Sequence, residues 1–456
     1  MTGFACDRYT RLMKLYSAAL GVAFALALAV YAAPAAAVRE SAFSAGKNGS
    51  PPGWTAWAPR PEIAAKTFVD RRHSRGGAGA LAISGNGNAA STGGWERIVD
   101  AVEPGQSYRF AASYTASGLR FEANEVICRI EWMDAAGSRT GQPEYVHKIR
   151  REGDWRTVEL TTTAPAKAKA AKLQLWLHNS PGGTVWFDDI AFESAKAPGP
   201  RSVIVAAIHH RPRRTSSAAE SVSRFIDIVE KTAPAKTDVI LLPEGITVVG
   251  NGKKYADVAE TIPGVTTKTL GDLARKRNTY VAAGIYEREG PVIYNTAVLL
   301  DRKGNLAGKY RKVYLPREEI EAGITAGSDY PVFDTDFGKV GLMICWDVQY
   351  ADPARALALK GAELILLPIW GGNMTLTRAR AIENSVFIAL SGYDIATSII
   401  DRKGESIASA PGPDSAVVAT IDLNRRYDWE WLGDMRGRFM KEVRLDVPMS
   451  RPDYGK

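Results

Sequence analysis

Short runs of alternating apolar and polar residues fill the first part of the chain, from about residue 40 to residue 195. Clusters of Gly, Pro, Asn and Asp separate these runs, as is typical of half-buried β-strands joined by turns. No convincing amphipathic helix occurs in this part of the sequence. The pattern therefore predicts an all-β sandwich over residues 38–195. The clearest strand runs are YRFAASY (108–114), EVICRIEWMD (125–134), DWRTVELTT (154–162), KLQLWLH (172–178) and TVWFDDIAF (184–192).

The hydrophobic pattern changes after the segment AKAPGPRS, at residues 195–202. This segment is rich in Pro and Gly and has no periodicity, so residues 196–201 are predicted to be a linker. Beyond it, continuous apolar runs typical of buried strands alternate with helical patterns, which predicts a layered domain of strands and helices over residues 202–425. Residues 426–456 are left as a C-terminal tail, and the whole chain is predicted to be an α+β multidomain protein. The predicted strands are SVIVAAI (202–208), DVILLPE (238–244), YVAAGIY (280–286), KVGLMIC (339–345) and ELILLPIW (363–370); the predicted helices are SAAESVSRFIDIVEKTA (217–233), TKTLGDLARKRN (267–278) and ADPARALALKGA (351–362); and two hairpins turn at DRKG, at 301–304 and 401–404.

The N-terminal residues follow a third pattern. Two arginines and a lysine precede a run rich in Ala, Leu and Val from Leu15 to Ala33, and a small-residue A-x-A pattern follows at 35–37. This order of charge, apolar run and small residues predicts a signal peptide over residues 1–37 and export to the periplasm or the outside of the cell. The apolar run, about 19 residues long, exceeds the usual signal-peptide length, so an uncleaved segment that anchors the chain is the alternative.

Composition limits the classes of partner. The chain has 456 residues, of which 45% are hydrophobic and 24% are charged, and this is ordinary for a globular protein of two domains. The net charge of +8 is spread along the sequence without a dense Lys/Arg block or a nucleic-acid motif, so we expect no nucleic-acid partner. Of the three cysteines, Cys6 would leave with the signal peptide, and Cys128 alternates with Val126 and Ile130 as a core thiol would.

The third cysteine, Cys345, lies in GLMICWDVQY, where a buried strand gives way to a loop. Open sheets with helices on both faces carry their chemistry at the carboxyl ends of strands, and Glu244 ends another predicted strand. Lys312, in KYRKVYLP, is a third candidate, in the strand that leaves the first hairpin. Thiol catalysis commonly uses histidine as its base, but none of the five histidines lies beyond His210. We interpret His209 and His210 as a strand end or rim, so the base is expected to be a carboxylate.

Glu, Lys and Cys side chains together can carry out acyl transfer. A buried Glu can remove the proton of a thiol, and a Lys ammonium can stabilise first the thiolate and then the oxyanion. The backbone N–H after the nucleophile, that of Trp346, can supply a second donor. No Cys/His cluster has the spacing of metal ligands, so we expect neither a metal nor another cofactor.

At these residues the chain from 202 to about 425 resembles the nitrilase, or carbon–nitrogen hydrolase, superfamily. The resemblance implies Glu244 as general base, Lys312 as the cation beside the oxyanion and Cys345 as nucleophile. It also implies an αββα four-layer sandwich that pairs into a homodimer or a higher homo-oligomer. The matching blocks occur in the family's order: LLPEG (241–245), GKYRKVYLP (308–316), PVFDTDFGKVGLMICWD (331–347), RALALKGAELILLP (355–368) and RARAIENSVFIALSGYD (378–394).

The resemblance implies further residues around this triad. Many members of the family carry a second glutamate that orients the lysine, and here REEIEAGITAG (317–327) offers Glu318, Glu319 and Glu321, of which we favour Glu319. The loop shows Ala-Gly at 326–327, where the family usually has Pro-Gly. We expect the pocket to be lined by residues of CWD and IWGGN: Trp346, Trp370, Gly371, Gly372 and Asn373. We interpret three polar residues of RAIEN as buried structural groups: Arg380, Glu383 and Asn384.

The first domain resembles the jelly-roll carbohydrate-binding modules of the galactose-binding-like type. The resemblance rests on GDWRTVEL, LQLWLH and the closing GGTVWFDDIAF. It implies a glycan as a partner, since sugars stack on exposed aromatic faces, although most of these tryptophans are expected to be core residues. Seven of the eleven tryptophans lie in this part: Trp54, Trp57, Trp95, Trp132, Trp155, Trp176 and Trp186.

The leading functional hypothesis is an exported thiol hydrolase that cleaves a non-peptide C–N bond of a small amide through a Cys thioester. CWD after the strand favours an amidase over a nitrilase, which often shows CWE. An N-carbamoyl amidohydrolase or a nitrilase is the alternative within the superfamily. From another class, the chain could be a glycan-binding protein with a degenerate hydrolase domain, but the complete Glu/Lys/Cys set argues against this.

Overall fold

The computed structural model describes residues 37–46 and 49–448. All of the predicted signal peptide except residue 37 lies outside this part, as does Cys6. Within it, no helix has the length and apolar character needed to cross a membrane. The described chain divides into two compact units, with the change from the first to the second between Ala197 and Pro198. The first unit comprises residues 37–120, Glu125–Gly141 and Lys148–Ala197, and the second comprises Phe121–Asn124, Gln142–His147 and residues 198–448.

Two antiparallel sheets form the first unit. Sheet A has the strand order β3-β4-β12-β6-β10-β9, with β1 paired to β12, and sheet B has, within this unit, the order β2-β5-β11-β7. The jelly-roll assignment of this unit stays a prediction. The strands of sheet A are β1 (Val38–Glu40), β3 (Lys66–Asp70), β4 (Ala80–Ser84), β6 (Ser107–Ser117), β9 (Lys148–Glu152), β10 (Trp155–Thr163) and β12 (Thr184–Ser194). Those of sheet B are β2 (Thr55–Trp57), β5 (Thr92–Val99), β7 (Val126–Met133) and β11 (Ala170–His178), whereas the two-residue strand β8 (Glu144–Tyr145) belongs to the second unit.

Period-two alternation builds the core between these sheets. In β7 the buried side chains are every second residue, and Cys128 is one of them, as expected of a core thiol. Tyr108 of sheet A packs on Trp132 of sheet B, with ring centroids 6.0 Å apart. Two short helical segments interrupt the strands, a 3-10 turn at Pro61–Ile63 and helix α1 at Glu122–Glu125, and the alternation pattern predicts neither.

Two six-stranded sheets form the centre of the second unit. Sheet C has the order β17-β16-β15-β14-β13-β24, and sheet D has the order β18-β19-β20-β21-β22-β23. Sheet C contains β13 (Ser202–His209), β14 (Val239–Leu241), β15 (Tyr280–Glu289), β16 (Val292–Leu300), β17 (Leu306–Arg311) and β24 (Ser415–Asp422). Sheet D contains β18 (Val332–Asp334), β19 (Lys339–Leu342), β20 (Leu364–Pro368), β21 (Phe387–Ser391), β22 (Ser398–Ile400) and β23 (Ser406–Ser409). A small hairpin follows, β25 (Asp428–Trp429) and β26 (Gly433–Asp434).

Helices cover the outer faces of sheets C and D, so this unit has four layers in the order αββα. Buried residues of both sheets, such as Val205 of β13 and Leu366 of β20, share one core. A second core joins sheet C to Phe225 of the helix Ala218–Thr232 and Leu270 of the helix Val265–Arg277, and a third joins sheet D to Leu357 of the helix Asp352–Leu359. The helices are α2 (Ala218–Thr232), α3 (Tyr255–Val258), α4 (Val265–Arg277), α5 (Arg317–Glu321), α6 (Asp352–Leu359), α7 (Met374–Asn384) and α8 (Met435–Glu442), with a 3-10 turn at Cys345–Gln349.

Local sequence explains where two of the longer helices begin. Ser217 caps α2 by accepting a hydrogen bond from the Glu220 N–H, 3.2 Å long. Val222, Phe225 and Val229 then lie on one face and are buried, each stabilising the fold by about 1.5–3 kcal/mol. Asn373 caps α7, and its side-chain oxygen accepts from the Thr375 N–H at 2.8 Å. The side-chain oxygen of Asn373 is thus engaged by the helix, and its place in the pocket stays a prediction.

The strands leading to the candidate residues are shorter than predicted. β14 ends at Leu241 and β19 ends at Leu342, so Glu244 and Cys345 lie in the turns that follow. Gly245 has φ +61° and Cys345 has φ +42°, values that a strand does not contain, so neither strand can continue through these residues. β17 likewise ends at Arg311, one residue before Lys312, although the Lys312 N–H still donates to the Asn295 carbonyl of β16 at 2.9 Å.

Candidate active site

Cys345 is held in a strained turn. It begins the 3-10 turn Cys345–Gln349 with a positive φ, a conformation that costs a non-glycine residue of order 1–3 kcal/mol and persists only where its surroundings enforce it. Cys345 is half-buried, and its thiol donates to the carbonyl oxygen of Gly371, with Sγ 3.6 Å from that oxygen. The turn therefore presents the sulfur at the carboxyl end of sheet D.

Lys312 lies between two carboxylates. Its ammonium nitrogen is 3.0 Å from Glu244 Oε1 and 2.9 Å from Glu319 Oε2, the second contact being an ion pair by distance but off the line of a hydrogen bond. All three residues are at least 96% buried. Of the three glutamates that the sequence offers, the structure brings only Glu319 to Lys312, whereas Glu318 and Glu321 are exposed and pair with Arg317.

Asn295 joins the two glutamates. Its amide Nδ2 donates to Glu244 Oε1 at 2.7 Å and to Glu319 Oε1 at 2.6 Å, and its side chain is fully buried. Hydrogen bonds to charged groups in a buried site are the strong ones, so this amide fixes both carboxylates. Sequence reasoning missed Asn295, although an Asn inside the apolar strand VIYNTAVLL was a signal, since a buried amide there must find partners.

One oxygen of Glu244 remains available. Oε1 receives both the Lys312 and the Asn295 hydrogen bonds, whereas Oε2 is buried and has no hydrogen-bond partner among the described residues. The backbone of Glu244 is also fixed, because the Tyr393 hydroxyl donates to its carbonyl oxygen at 2.8 Å. A fixed carboxylate with a free oxygen beside a thiol can accept that thiol's proton.

The electrostatics of the cluster keep the thiol protonated at rest. Burial, and next the negative charge of Glu244, raise the pKa of Cys345 to about 12, against the opposing effect of Lys312. For Lys312, burial acts to lower the pKa, but the charges of Glu244, Cys345 and Glu319 outweigh it and the pKa is raised. Burial also raises the pKa of Glu319. The arrangement therefore suits a base that removes the thiol proton during attack, rather than a preformed thiolate.

The residues predicted to line the pocket are spread over two segments. Trp370 is half-buried, packs edge-on against Tyr393 with ring centroids 4.9 Å apart, and lies beside Gly245. Gly371 contributes its carbonyl to the thiol, as described above. Trp346 is 39% exposed, and Gly372 is exposed. Two residues that sequence reasoning missed add to this wall: Tyr286 and Tyr255 stack with ring centroids 4.4 Å apart, and Glu244 and Glu319 contribute to raising the Tyr286 pKa after burial.

The remaining predicted residues lie away from the thiol's partners. His209 Nδ1 is 3.0 Å from the Gly392 carbonyl oxygen, and His210 Nδ1 is 2.5 Å from Asp414 Oδ1, so neither ring contacts Cys345 through these nitrogens. Arg380 is buried and pairs with Glu383 at 2.9 Å. Asn384 is buried and donates to the Arg380 carbonyl oxygen at 2.9 Å. Among residues 37–46 and 49–448, no group of three or more His, Cys, Asp or Glu side chains could hold a metal ion.

Comparison with known proteins matches the second unit to one family. Residues 204–430 match the family model described as carbon-nitrogen hydrolase. The chain is 27% identical to human omega-amidase NIT2 over 264 residues, which cover 52% of this chain and 90% of the relative. It is 36% identical to probable nitrilase C965.09 of Schizosaccharomyces pombe over 214 residues, which cover 44% of this chain and 77% of the relative. The solved structure of an amidase from Nesterenkonia sp. matches with 22% identity and a TM-score of 0.44, over 50% of this chain and 95% of that chain.

Proposed function

The chain belongs to the carbon-nitrogen hydrolase family and is an amidase-like C–N hydrolase, and on that premise we propose that it cleaves the C–N bond of a small amide through a thioester on Cys345. The observation that carries this proposal is the buried cluster of Glu244, Lys312 and Glu319, with the free Oε2 of Glu244. The reaction needs a base, a cation and a thiol, and Glu244, Lys312 and Cys345 provide one of each without a metal or histidine.

Acylation begins when Glu244 takes the proton of the Cys345 thiol as the sulfur attacks the amide carbon. The C=O electron pair moves onto oxygen, and the oxyanion is stabilised by the Lys312 ammonium and by the Trp346 backbone N–H. Glu244 then gives its proton to the leaving nitrogen, the C–N bond breaks, and ammonia departs from a thioester. Glu319 and Asn295 hold Lys312 and Glu244 in place during these steps.

Deacylation repeats the sequence with water as the nucleophile. Glu244 removes a proton from the water, whose oxygen attacks the thioester carbon. The tetrahedral intermediate collapses, the C–S bond breaks, and the proton on Glu244 returns to sulfur. The carboxylic acid is released and Lys312 remains protonated throughout, in agreement with its raised pKa.

A panel of primary amides, nitriles and N-carbamoyl compounds tests this proposal by release of ammonia. We expect turnover of amides that Cys345→Ala abolishes. Turnover of nitriles or N-carbamoyl compounds alone would favour the alternatives within the family. Absence of turnover of every compound would favour a glycan-binding protein with an inactive hydrolase unit.

A second candidate function, glycan binding by the first unit, is favoured by one observation. Trp57 is 36% exposed and stacks on Trp176, with ring centroids 4.4 Å apart and an interplanar angle of 10°. Arg129 lies over the Trp176 ring at 4.0 Å from its centroid. Flat aromatic faces with adjacent polar groups suit the stacking of sugar rings. Retention of the protein on insoluble polysaccharides, lost in Trp57→Ala, would support this function, and equal retention of both proteins would exclude Trp57 from it.

Two further proposals concern the localisation and the oligomeric state of the protein. We propose that the protein is exported, on the basis of the N-terminal charge and apolar pattern, so N-terminal sequencing of the mature protein should begin near Val38; an intact Met1 in the membrane fraction would favour the anchor instead. We also propose a homodimer or a higher homo-oligomer formed through the second unit, which light scattering tests directly.

A further inference from the structure

A buried carboxylate, that of Asp347, joins the segment around Lys312 to the turn that carries Cys345. Asp347 Oδ2 accepts from the Ile344 N–H at 2.9 Å and from the Tyr310 hydroxyl at 2.8 Å. Its Oδ1 accepts from the Tyr314 N–H at 3.0 Å. Ile344 precedes the nucleophile, whereas Tyr310 and Tyr314 lie on either side of Lys312. One fully buried side chain therefore contacts both halves of the catalytic set from behind.

We propose that Asp347 is a positioning residue that sets the separation between the Cys345 sulfur and the Lys312 ammonium. The inference rests on the function proposed above, in which these two groups act on the same carbonyl. Lys312 has a long side chain, and its ammonium is held by Glu244 and Glu319, but its backbone position depends on the segment that Tyr310 and Tyr314 anchor. Asp347 fixes that segment relative to the first residues of the strained turn.

The chemistry of the site requires a carboxylate here. All three groups that face Asp347 are donors, and an ionised carboxylate is an acceptor only. An amide would turn its NH2 group either toward the Tyr314 N–H, which donates to Oδ1, or toward the Ile344 N–H, which donates to Oδ2, and would lose at least one of these bonds. The titratable groups that face Asp347 are Tyr310, Lys312 and Tyr330. Burial raises the pKa of Asp347 to about 6, against the effect of its hydrogen bonds and of Lys312, so the carboxylate is ionised above that pH.

A second contact holds the far end of the same turn. The buried guanidinium of Arg380, on α7, donates to the Val348 carbonyl at 3.2 Å and to the Gln349 carbonyl at 3.3 Å. The turn is thus fixed at its start by Asp347 and at its end by Arg380. A residue with positive φ, as Cys345 has, keeps that conformation only when both flanks are held.

The test replaces the carboxylate without changing its shape. Asp347→Asn is expected to lower kcat about 10- to 100-fold, the loss that removal of a charge-assisted hydrogen bond produces, with KM changed less than about threefold. The melting temperature at pH 8 should not fall, because the neutral form of this side chain is favoured by burial. We expect the kcat of the wild type to fall on acidification through about pH 6, and this fall should disappear in Asp347→Asn. A purely structural role would lower stability and leave the shape of the pH profile unchanged.

The matched control is Asp352→Asn. Asp352 is an exposed carboxylate five residues further on that accepts from the hydroxyls of Tyr314 and Tyr330 at 2.7 and 3.0 Å, but it bonds no backbone N–H of the turn. The kcat of Asp352→Asn should stay within about threefold of that of the wild type. Tyr310→Phe, which removes one donor to Asp347, gives a second test should Asp347→Asn fail to fold, and is expected to lower kcat about three- to tenfold. The two changes combined should cost less than the product of their separate effects.

The outcomes separate this inference from the function on which it rests. If the wild type is active and Cys345→Ala is not, but Asp347→Asn and Tyr310→Phe match Asp352→Asn in kcat, the positioning role is overturned and the proposed function stands. If the wild type releases ammonia from no compound of the panel, the proposed function and this inference both fall. A loss of kcat confined to Asp347→Asn and Tyr310→Phe supports both.

Discussion

The amide of Asn295 offers the sharpest quantitative prediction. Asn295→Asp has almost the same shape as the native side chain, but it exchanges a donor for an acceptor at 2.7 Å from Glu244 Oε1 and 2.6 Å from Glu319 Oε1. Two unit negative charges at this separation repel each other by about 6 kcal/mol even at an effective dielectric constant of about 20. The new carboxyl therefore has to take up a proton in the folded protein, whereas in the unfolded chain it ionises near its ordinary pKa of about 3.9.

This difference makes the loss of stability depend on pH. The folded pKa of the new group is raised above its unfolded value, so the destabilisation is smallest below about pH 4 and grows by about 1.36 kcal/mol for each pH unit above it. At pH 8 the proton alone costs about 5–6 kcal/mol, and the lost second hydrogen bond adds about 1.5–3 kcal/mol. Turnover should fall at least about 100-fold, because Glu244 loses its fixed orientation.

The assay is the difference in unfolding free energy between Asn295→Asp and the wild type, measured by chemical unfolding at several values between pH 5 and pH 8. Thr296→Val is the matched control: Thr296 is the next residue of β16, equally buried, and donates to a different carboxylate, Glu287, at 2.9 Å. It should cost about 1 kcal/mol at every pH and leave turnover unchanged. A difference for Asn295→Asp that does not vary with pH would refute the reasoning.

Four further predictions follow from the same geometry. Cys345→Ser should be nearly as inactive as Cys345→Ala, because a hydroxyl is far harder to deprotonate than a thiol, and substantial activity of the serine variant would contradict the thiol's role. Since the pKa of Cys345 is about 12, its alkylation by iodoacetamide, followed by mass spectrometry of its peptide, should accelerate about tenfold per pH unit from pH 7 to pH 10, and a plateau below pH 9 would show a lower pKa. The pKa of Asp347 is about 6 in the folded protein and about 3.9 in the unfolded chain. Its neutral form therefore adds about 3 kcal/mol to the free energy of unfolding below about pH 4, and this contribution is lost as the pH rises through 6. Asp347→Asn should remove this change from the measured pH dependence of unfolding. Activity should survive prolonged treatment with EDTA, and a loss that zinc restores would contradict the absence of a metal from the mechanism.

Hydrophobic patterning predicts most of the strands and helices of the second unit. The run KVGLMIC contains β19 of sheet D, and the pattern ADPARALALKGA contains α6, which covers that sheet. Both were predictable because buried strands and amphipathic helices have distinct hydrophobic periods. The ends of the strands were wrong by up to three residues at Glu244 and Cys345. A positive φ at Gly245 and at Cys345 prevents either strand from continuing through these residues, and hydrophobic periodicity carries no information about such a backbone angle.

The candidate site, too, was predictable from the sequence only in part. Glu319 was favoured among three neighbouring glutamates, and burial separates it from the other two, which lie on the exposed side of the short helix α5. Asn295 and Asp347 were missed because their importance lies in the partners they bond across the sheet, and one sequence does not show those partners. The sequence also does not show that Asn373 caps α7, because a capping role depends on where the helix begins.

The central claim, that Cys345 forms an acyl-enzyme, is tested most directly by rapid acid quenching of the protein during turnover of an active amide, followed by mass spectrometry of the peptide containing Cys345. The account predicts that this peptide gains the mass of the substrate minus ammonia, that the adduct is lost on treatment with hydroxylamine, and that Cys345→Ala and Glu244→Gln accumulate none. Turnover of the amide at an unchanged rate by Cys345→Ala, or an adduct of this mass on any other residue, would contradict it.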